Sequence, residues 1–213
     1  MDYTETFNGI SELLQKGKAK DIVVSVQKAL DDGAPPGDIL EKALMEGMNI
    51  VGGKFKRNEV FVPEVLIAAR AMNKAVETLK PHLAQAGVTP VGKAIICTVK
   101  GDLHDIGKNL VKMMIEGKGI EVVDLGVDCD AQKIVDTVKE SGAKVVCLSA
   151  LLTTTMTSQK DVIDMLKNEG VRDKVKVMVG GAPVTQSFAD EIGADAYTAD
   201  AASAAEVCRA FFK

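Results

Sequence analysis

The residues best suited to chemistry in this sequence stand in one short segment, Asp102-Leu103-His104-Asp105. His104 is one of only two histidines among 213 residues. Asp102, two residues earlier, can hold one nitrogen of the imidazole, which is the usual arrangement around a histidine that binds a metal through its other nitrogen. The segment therefore predicts a metal site centred on His104. The spacing also leaves a second interpretation open, in which Asp105 and Asp102 together hold a divalent cation.

Two further clusters follow apolar runs later in the chain. One contains Ser149, Leu151, Thr153 and Thr155, and the other is the Gly-Gly pair at positions 180–181. Hydroxyl groups can complete a hydrogen-bonded network around the imidazole. Adjacent glycines allow a ligand or a second stretch of backbone to approach closely. We therefore expect all three clusters to contribute to one site.

A phosphate-binding interpretation of the first cluster fails on spacing. A P-loop has four residues between its glycines, followed by lysine and a hydroxyl residue. Here Gly101 and Gly107 have five residues between them, and Lys108 is followed by Asn109. No G-x-G-x-x-G pattern follows an apolar run either. The sequence therefore predicts neither a nucleoside triphosphate site nor a dinucleotide site.

The second half of the sequence determines where these clusters lie. Short apolar, β-branched runs alternate with segments of helical length, which is typical of a parallel sheet covered by helices on both faces. The pattern predicts a doubly wound (Rossmann-like, flavodoxin-like) α/β domain, whose ligands bind at the carboxyl ends of the strands. The expected strands are 94–99, 120–124, 143–149, 175–179 and 196–198, and the expected helices are 106–117, 131–141, 156–170, 184–192 and 202–212.

The first half has helical periodicity and predicts a four-helix bundle with short loops. Asp38 is expected to cap the third helix. The fourth helix is expected to begin near Pro63, to carry Leu66 in its apolar stripe, and to bend or end at Pro81. The predicted organisation is a helical bundle over residues 1–87, a linker over 88–92 and an α/β domain over 93–213.

Composition excludes several classes of function. Residues 1–90 contain 11 basic and 12 acidic side chains, and the remainder contains 15 and 18, so neither half has the basic surface of a nucleic-acid-binding protein. No segment has the length and hydropathy of a membrane span or a signal peptide, so we expect a cytoplasmic protein without a membrane partner. The four cysteines are far apart in sequence, and we expect them to be buried free thiols.

Taken together, the three clusters resemble the cobalamin-binding domain shared by methionine synthase, cobalamin-dependent mutases and corrinoid methyl-carrier proteins. The pattern of that family is D-x-H-x-x-G, then S-x-L, then a Gly-Gly turn. It is matched here by Asp102, His104 and Gly107, by Ser149 and Leu151, and by the glycine pair at 180–181.

The resemblance implies that the chain binds cobalamin or a related corrinoid in the base-off/His-on state. The lower base of the corrinoid would leave cobalt and enter the domain, and His104 would replace it as the lower axial ligand. Asp102 would hold the other imidazole nitrogen, and Thr155 would complete the relay where methionine synthase has serine. The full set of residues that the resemblance assigns to the cofactor in this domain is Asp102, His104, Asp105, Ile106, Gly107, Ser149, Leu151, Thr153, Thr155, Gly180 and Gly181.

The helical half extends the resemblance to nearly the whole chain. The segment 55–63 is similar to the part of the methionine synthase cap that covers the upper face of the corrin, with Phe55 and Val62 over the cobalt-bound methyl group. Both residues can instead be ordinary core residues of the bundle. Residues 86–92, with two glycines, are expected to act as the hinge that lets the cap move away.

A bundle and a cobalamin domain of this total length resemble the small corrinoid proteins of anaerobic methyltransferase systems, of the methylamine, quaternary-amine or methanol type. Such a protein is not catalytic alone: it cycles between cobalt(I) and methyl-cobalt(III). The implied partners are a substrate:corrinoid methyltransferase, a second methyltransferase that passes the methyl group to tetrahydrofolate, a pterin or a thiol, and a reductive activating protein. The alternatives are a cobalamin-dependent regulator, disfavoured by the absence of tryptophan and of a basic domain, and a divalent-metal hydrolase that uses Asp102, His104 and Asp105.

Overall fold

The computed structural model describes residues 2–213, which form two compact units that meet between Pro90 and Val91. The first unit is helical and the second is a parallel α/β sheet. The predicted fold class, a helical bundle followed by a doubly wound α/β domain, is confirmed.

The first unit contains four helical stretches. The third stretch is continuous but changes its hydrogen-bond pattern, with a π-helical segment between two α-helical parts. The elements are α1 (Thr4–Gln15), α2 (Ala19–Asp31), α3 (Pro36–Asp38), the π-helical segment (Ile39–Met45), α4 (Glu46–Lys56) and α5 (Val62–Gln85). The side chains of Ile10, Leu14, Ile22, Leu44 and Leu79 are fully buried and form its core.

Two details predicted for this unit, and one of the two alternatives at Pro81, are wrong. Asp38 does not cap the third helix, because Pro35 occupies the N-cap and Pro36 the first helical position, where its missing N–H costs nothing. Pro81 does not end α5, which continues to Gln85 because buried leucines on either side of the proline hold the helix in the bundle. Leu66 is exposed, and its neighbour Val65 is the buried residue of that turn.

The second unit is built on a five-stranded parallel sheet in the order β2-β1-β3-β4-β5. Its strands are β1 (Lys93–Thr98), β2 (Glu121–Asp124), β3 (Val145–Ser149), β4 (Lys176–Gly180) and β5 (Ala196–Tyr197). Its helices are α6 (Ile106–Glu116), α7 (Ala131–Ser141), α8 (Thr157–Asn168), α9 (Gln186–Ile192) and α10 (Ala201–Ala210), with a 3₁₀ turn at Arg172–Lys174. The chain moves from β1 outward to β2 and then back to β3 on the other side of β1, so the topological switch point lies between β1 and β3.

The helices cover both faces of this sheet. α6 packs against α10, and α7 packs against α8. The largest core cluster lies on the α7 and α8 side and includes Ile95, Val146, Leu148, Ile163 and Val177. Because side chains alternate along a strand, Cys147 and Ser149 of β3 lie on the opposite face, towards α6 and α10.

The connection between the units is held at both ends. The N–H of Val88 donates to the carbonyl of Leu83 at 2.9 Å, which closes the end of α5. The N–H of Val91 donates to Gly119 at 3.0 Å, and a side chain at Gly92 would collide with the ring of Phe212. The segment that connects the two units and is not held by either of these contacts is therefore Thr89 and Pro90. No helix within residues 2–213 has the length and apolar character needed to cross a membrane.

Candidate functional site

The first two clusters meet at the switch point of the sheet. Thr98 ends β1, Ser149 ends β3, and these two residues are paired in the parallel register. The loops that leave the two strands carry the aspartate–histidine pair on one side and Leu151 to Thr155 on the other. This is the edge where doubly wound sheets bind their ligands.

Asp102 is the centre of the hydrogen-bond network. Its side chain is fully buried, and each carboxylate oxygen accepts two hydrogen bonds. Oδ1 accepts from the backbone N–H of His104 at 3.1 Å and from His104 Nδ1 at 2.9 Å. Oδ2 accepts from the N–H of Leu151 at 2.7 Å and from Thr155 Oγ1 at 2.8 Å. Burial alone would raise the pKa of Asp102, but these hydrogen bonds outweigh it and hold the pKa well below its ordinary value.

The ionised Asp102 fixes the state of the imidazole. A carboxylate can only accept hydrogen bonds, so Nδ1 of His104 carries the proton, and the lone pair of a neutral ring is then on Nε2. The side chain of His104 is 53% exposed, and the backbone carbonyl of His104 accepts a hydrogen bond from Thr98 Oγ1 at 2.7 Å. The loop is therefore held from both sides. Nε2, on the side of the ring away from Asp102, is the nitrogen whose lone pair is available to a metal ion.

Thr155 joins the second cluster to the first. Its side chain is buried, and its hydroxyl oxygen lies 2.8 Å from Asp102 Oδ2 and 3.0 Å from the carbonyl oxygen of Leu152. A hydroxyl has one hydrogen, so it can donate to only one of these two acceptors at a time. The chain of His104, Asp102 and Thr155, called the His104 triad below, connects Nε2 to a hydroxyl that can change its hydrogen-bond partner.

Two glycines of the site differ in whether the fold itself requires glycine at their positions. Gly181 has a φ of +130°, and a Cβ at this position would lie 1.7 Å from the carbonyl oxygen of Ala150, so only glycine fits. Gly107 lies in the first turn of α6, where a Cβ would meet nothing within 4 Å. Packing within the chain therefore requires Gly181, whereas beside Gly107 there is open space.

Exposed apolar side chains lie in both loops of the site. Leu103 is 72% exposed and Ile106 is 75% exposed, on either side of His104 in sequence. Leu151 and Leu152 from the second loop are also exposed. Large apolar side chains that remain exposed around a polar centre are typical of a binding surface for a mainly apolar ligand.

The remaining predicted residues of this unit lie at or near the same edge. Ser149 is half-buried and pairs with Gly180 at the ends of β3 and β4. Thr153 is exposed in the loop before α8. Asp105 occupies the N-cap of α6, where its carboxylate accepts from the amide of Asn109 at 3.2 Å.

The alternative divalent-metal site finds no support in this arrangement. Both oxygens of Asp102 are occupied by hydrogen bonds, and Asp105 bonds to Asn109 instead of joining Asp102. Throughout residues 2–213, no group of three or more histidine, cysteine, aspartate or glutamate side chains is placed to hold a metal ion.

Two features of the site were missed in the sequence analysis. Lys108 is buried, and its Nζ donates to both carboxylate oxygens of Asp124, at 2.7 and 2.8 Å, which ties the start of α6 to the end of β2. Gln159 is fully buried in the first turns of α8. No sequence signal points to either residue, because an isolated lysine or glutamine in a helix usually faces solvent.

The two residues predicted to cover the cofactor lie in the first unit. Phe55 in α4 and Val62 at the start of α5 are both half-buried. The expectation of buried, free cysteines is met for Cys97, Cys129, Cys147 and Cys208.

Comparison with known proteins identifies the family. Two family models, both described as a B12 binding domain, match residues 92–208 and residues 6–80. The chain belongs to the B12-binding domain family. The match to residues 92–208 contains the whole His104 triad, and the two matches together include both structural units.

Curated relatives of this B12-binding chain include methylamine corrinoid proteins. It is 44% identical to dimethylamine corrinoid protein 3 of Methanosarcina acetivorans over 187 residues, which is 88% of this chain and 87% of that protein. It is 43% identical to monomethylamine corrinoid protein 2 of the same organism, over 97% of both chains.

Solved structures agree with this assignment. A cobalamin-binding protein from Desulfitobacterium hafniense DCB-2 is 33% identical, with a TM-score of 0.80 over 96% of this chain and 98% of that one. The methanol:cobalamin methyltransferase complex MtaBC of Methanosarcina barkeri contains a chain that is 32% identical, with a TM-score of 0.87 over 98% of this chain and 80% of that one.

Proposed function

We propose that this B12-binding protein carries a methyl group on the cobalt of a corrinoid, with Nε2 of His104 as the lower axial ligand. The observation that carries the proposal is the His104 triad. A buried carboxylate fixes Nδ1 as the protonated nitrogen, so that the exposed Nε2 presents its lone pair at the ligand-binding edge of the sheet. The bound corrinoid would supply the nucleophilic cobalt that accepts and releases the methyl group.

The residues present fit such a cofactor. The apolar side chains of Leu103, Ile106 and Leu151 would contact the lower face of the macrocycle around His104. Gly107 leaves an open space beside the imidazole loop, and a glycine that neither packing nor backbone conformation requires is explained by a ligand that needs the room.

The detached tail of the corrinoid would enter on the α6 and α10 side of the sheet. Ser149 is on the same face of β3 as Cys147, which lies beside Cys208 of α10. Two glycines, Gly107 of α6 and Gly180 of β4, are expected to border this path, because the absence of a side chain leaves room for the tail. Ser149 could hydrogen-bond the tail there. This is the base-off/His-on mode of binding.

Within the chain, the His104 triad would control ligation. Asp102 holds the imidazole in one tautomer and orientation, and Thr155 stabilises the charge on Asp102. Only an unprotonated nitrogen binds metal, so Nε2 could hold a proton only while it is unligated, and the carboxylate of Asp102 would then stabilise the charged imidazole.

The helical unit would serve as a cap over the opposite face of the corrin. Phe55 and Val62 are the residues proposed to exclude water and oxygen from that face. Because Val88 is tied to the first unit and Val91 to the second, we locate the hinge at Thr89 and Pro90.

A methylamine, or a related quaternary amine or methanol, is the proposed source of the methyl group. The methylamine corrinoid proteins among the relatives support an amine most. A substrate:corrinoid methyltransferase would load the carrier, in the way that the methanol:cobalamin methyltransferase complex suggests. A second methyltransferase would pass the group to tetrahydrofolate, a pterin or a thiol, and a reductive activating protein would restore cobalt(I).

The first test is corrinoid loading. Wild type, His104→Ala and His82→Ala are incubated with hydroxocobalamin and desalted, and their absorbance spectra are recorded. We expect all three to retain corrinoid, with the spectrum changed only in His104→Ala, because His82 is the other histidine and lies in α5. A folded wild-type protein that emerges colourless would refute the proposal. The donor is tested separately, by methylation of the loaded protein with purified methylamine and methanol methyltransferases.

A further inference from the structure

Gln159 is a polar side chain with no exposed surface, and it bridges two strand ends beneath the site. Its Nε2 donates to the carbonyl of Leu148 at 2.9 Å and to the carbonyl of Gly180 at 3.1 Å. Leu148 is in β3 and Gly180 ends β4. The carbonyl of Gly180 also accepts from the N–H of Ala150 at 3.1 Å. One amide therefore holds together the last hydrogen-bonded positions of β3 and β4.

The orientation of this amide is fixed by its partners. Both N–H groups of Nε2 face carbonyl oxygens, so the reversed amide would place its own oxygen against two acceptors. Oε1 is buried and has no hydrogen-bond donor in the described part of the chain. An orphaned acceptor is unfavourable, and an apolar side chain of similar volume would avoid it. The two hydrogen bonds to strand-end carbonyls are therefore accompanied by one unsatisfied acceptor.

The amide supports both donors that reach Oδ2 of Asp102 from the second loop. Thr155 lies in the turn that leads into α8. The N–H of Ser158 donates to the carbonyl of Thr155, and the N–H of Gln159 donates to that of Met156, so this turn is tied to the start of the helix that carries Gln159. Ala150, whose carbonyl lies against Gly181, directly precedes Leu151, whose N–H donates to Asp102. Moving the strand ends would move both donors.

We propose that Gln159 is a positioning residue for His104, the proposed cobalt ligand. This inference rests on the proposed function. By holding the ends of β3 and β4 to the start of α8, it keeps the N–H of Leu151 and the hydroxyl of Thr155 on Asp102. Asp102 in turn holds His104 in the orientation that ligates cobalt. Gln159 itself does not touch the imidazole and acts only through these residues.

The test compares histidine ligation in Gln159→Met with that in two controls. Methionine keeps the volume but removes both donors. Val162→Ala removes buried volume from the same helix without removing a hydrogen bond from the strand ends, and Gln132→Met makes the same chemical change on an exposed helix position. Each protein is loaded with cobalamin and reduced to cobalt(II). Each protein carries nitrogen-15 histidine, so the histidine-ligated fraction is measured from doublet splitting in the electron paramagnetic resonance spectrum, which the unlabelled base of the cofactor does not give. Tm is recorded in parallel.

We expect Gln159→Met to retain corrinoid but to lower the ratio of histidine-ligated to unligated protein by about three- to tenfold, as for the loss of one hydrogen bond. Val162→Ala should lower Tm without changing that ratio, and Gln132→Met should change neither. Adding Thr155→Val to Gln159→Met should cause little further loss, because both act through Asp102.

A Gln159→Met protein that loses Tm but keeps the wild-type ratio would overturn the inference, as would an equal loss of ligation in Val162→Ala. If the methionine variant does not fold, Gln159→Glu is used instead. Glutamate has the same shape as glutamine, but its carboxylate cannot donate hydrogen bonds to the two carbonyls. It should therefore show the same loss of ligation. Failure of the proposed function itself is recognised in the labelled wild type, as absent corrinoid or absent nitrogen-15 doublet splitting.

Discussion

The two units bury their polar groups differently. In the helical unit the ion pairs lie on the surface, as between Lys74 and Glu77, where both side chains are at least half exposed. In the α/β unit the side chains of Asp102, Lys108 and Gln159 are buried and hydrogen-bonded. Burying a charge or an amide is unfavourable unless its partners are in place. Buried polar contacts are therefore concentrated in the α/β unit, around the candidate site, whereas the core of the helical unit is almost entirely apolar.

The largest expected contrast between the units concerns glycine. Gly181→Ala should destabilise the protein by more than about 3 kcal/mol, because the new Cβ would overlap the carbonyl of Ala150 at a positive φ. Gly9→Ala in α1 meets nothing within 4 Å and should stabilise by about 0.5–1 kcal/mol. Urea denaturation measures both. Equal effects at the two positions would remove the contrast.

The next contrast concerns the ion pairs. Lys108→Met should cost about 2–4 kcal/mol, because it leaves Asp124 partly buried without its main partner. Lys74→Met, at an exposed pair, should cost less than about 0.5 kcal/mol.

The effect of Lys108→Met should also depend on pH. Burial opposes ionisation of Asp124, but hydrogen bonds from Lys108 and the N–H of Gly126 lower its pKa in the folded state. The pair therefore contributes fully above the ordinary aspartate pKa, and its contribution is lost as pH falls through the lowered value. Denaturation across the acid range should show the difference from wild type shrinking as the solution is acidified. A difference that grows with acid would contradict this sign.

A third prediction separates the stability of the α/β unit from its binding. Gly107→Ala should raise stability by about 0.5–1 kcal/mol, since alanine favours the helix and finds open space. It should nevertheless weaken corrinoid retention, and Gly107→Leu should weaken it further, because the space is proposed for the ligand. Tm and corrinoid retained after desalting check the two effects. Unchanged retention in the leucine variant would mean that the space is not used.

The smallest expected effect tests whether the helical unit is only a scaffold. Val62→Ala and Val24→Ala should each alter stability by less than about 1 kcal/mol, because neither side chain is fully buried. If Val62 covers the corrin, its truncation should speed the oxidation of loaded, reduced corrinoid by air, whereas Val24, which is 69% exposed, should have no such effect. Stopped-flow absorbance measures the rate. Identical rates would leave Val62 as a core residue of the bundle.

The sequence predicted the architecture well because its two periodicities are distinct. Every predicted strand and helix of the α/β unit is present, with shifts at the ends. In the bundle, the errors at Asp38, Pro81 and Leu66 arose where tertiary packing decides between two locally acceptable structures.

The site was predictable only in part. Asp102, His104 and Thr155 could be grouped because each follows a strand that ends at the same edge of the sheet. The roles of Lys108 and Gln159 could not be predicted. An isolated lysine or glutamine in a helix usually faces solvent, and only the packing of α6 and α8 shows that these two are buried.

The central claim is that Nε2 of His104 ligates cobalt, and isotopic labelling tests it most directly. Protein containing nitrogen-15 histidine is loaded with unlabelled cobalamin, reduced to cobalt(II) and studied by electron paramagnetic resonance. We predict that the splitting from the axial nitrogen changes from triplets to doublets on labelling, and that it is lost in His104→Ala. Splitting that remains triplet in the labelled protein would show that the base of the cofactor still holds the cobalt, and would contradict the account.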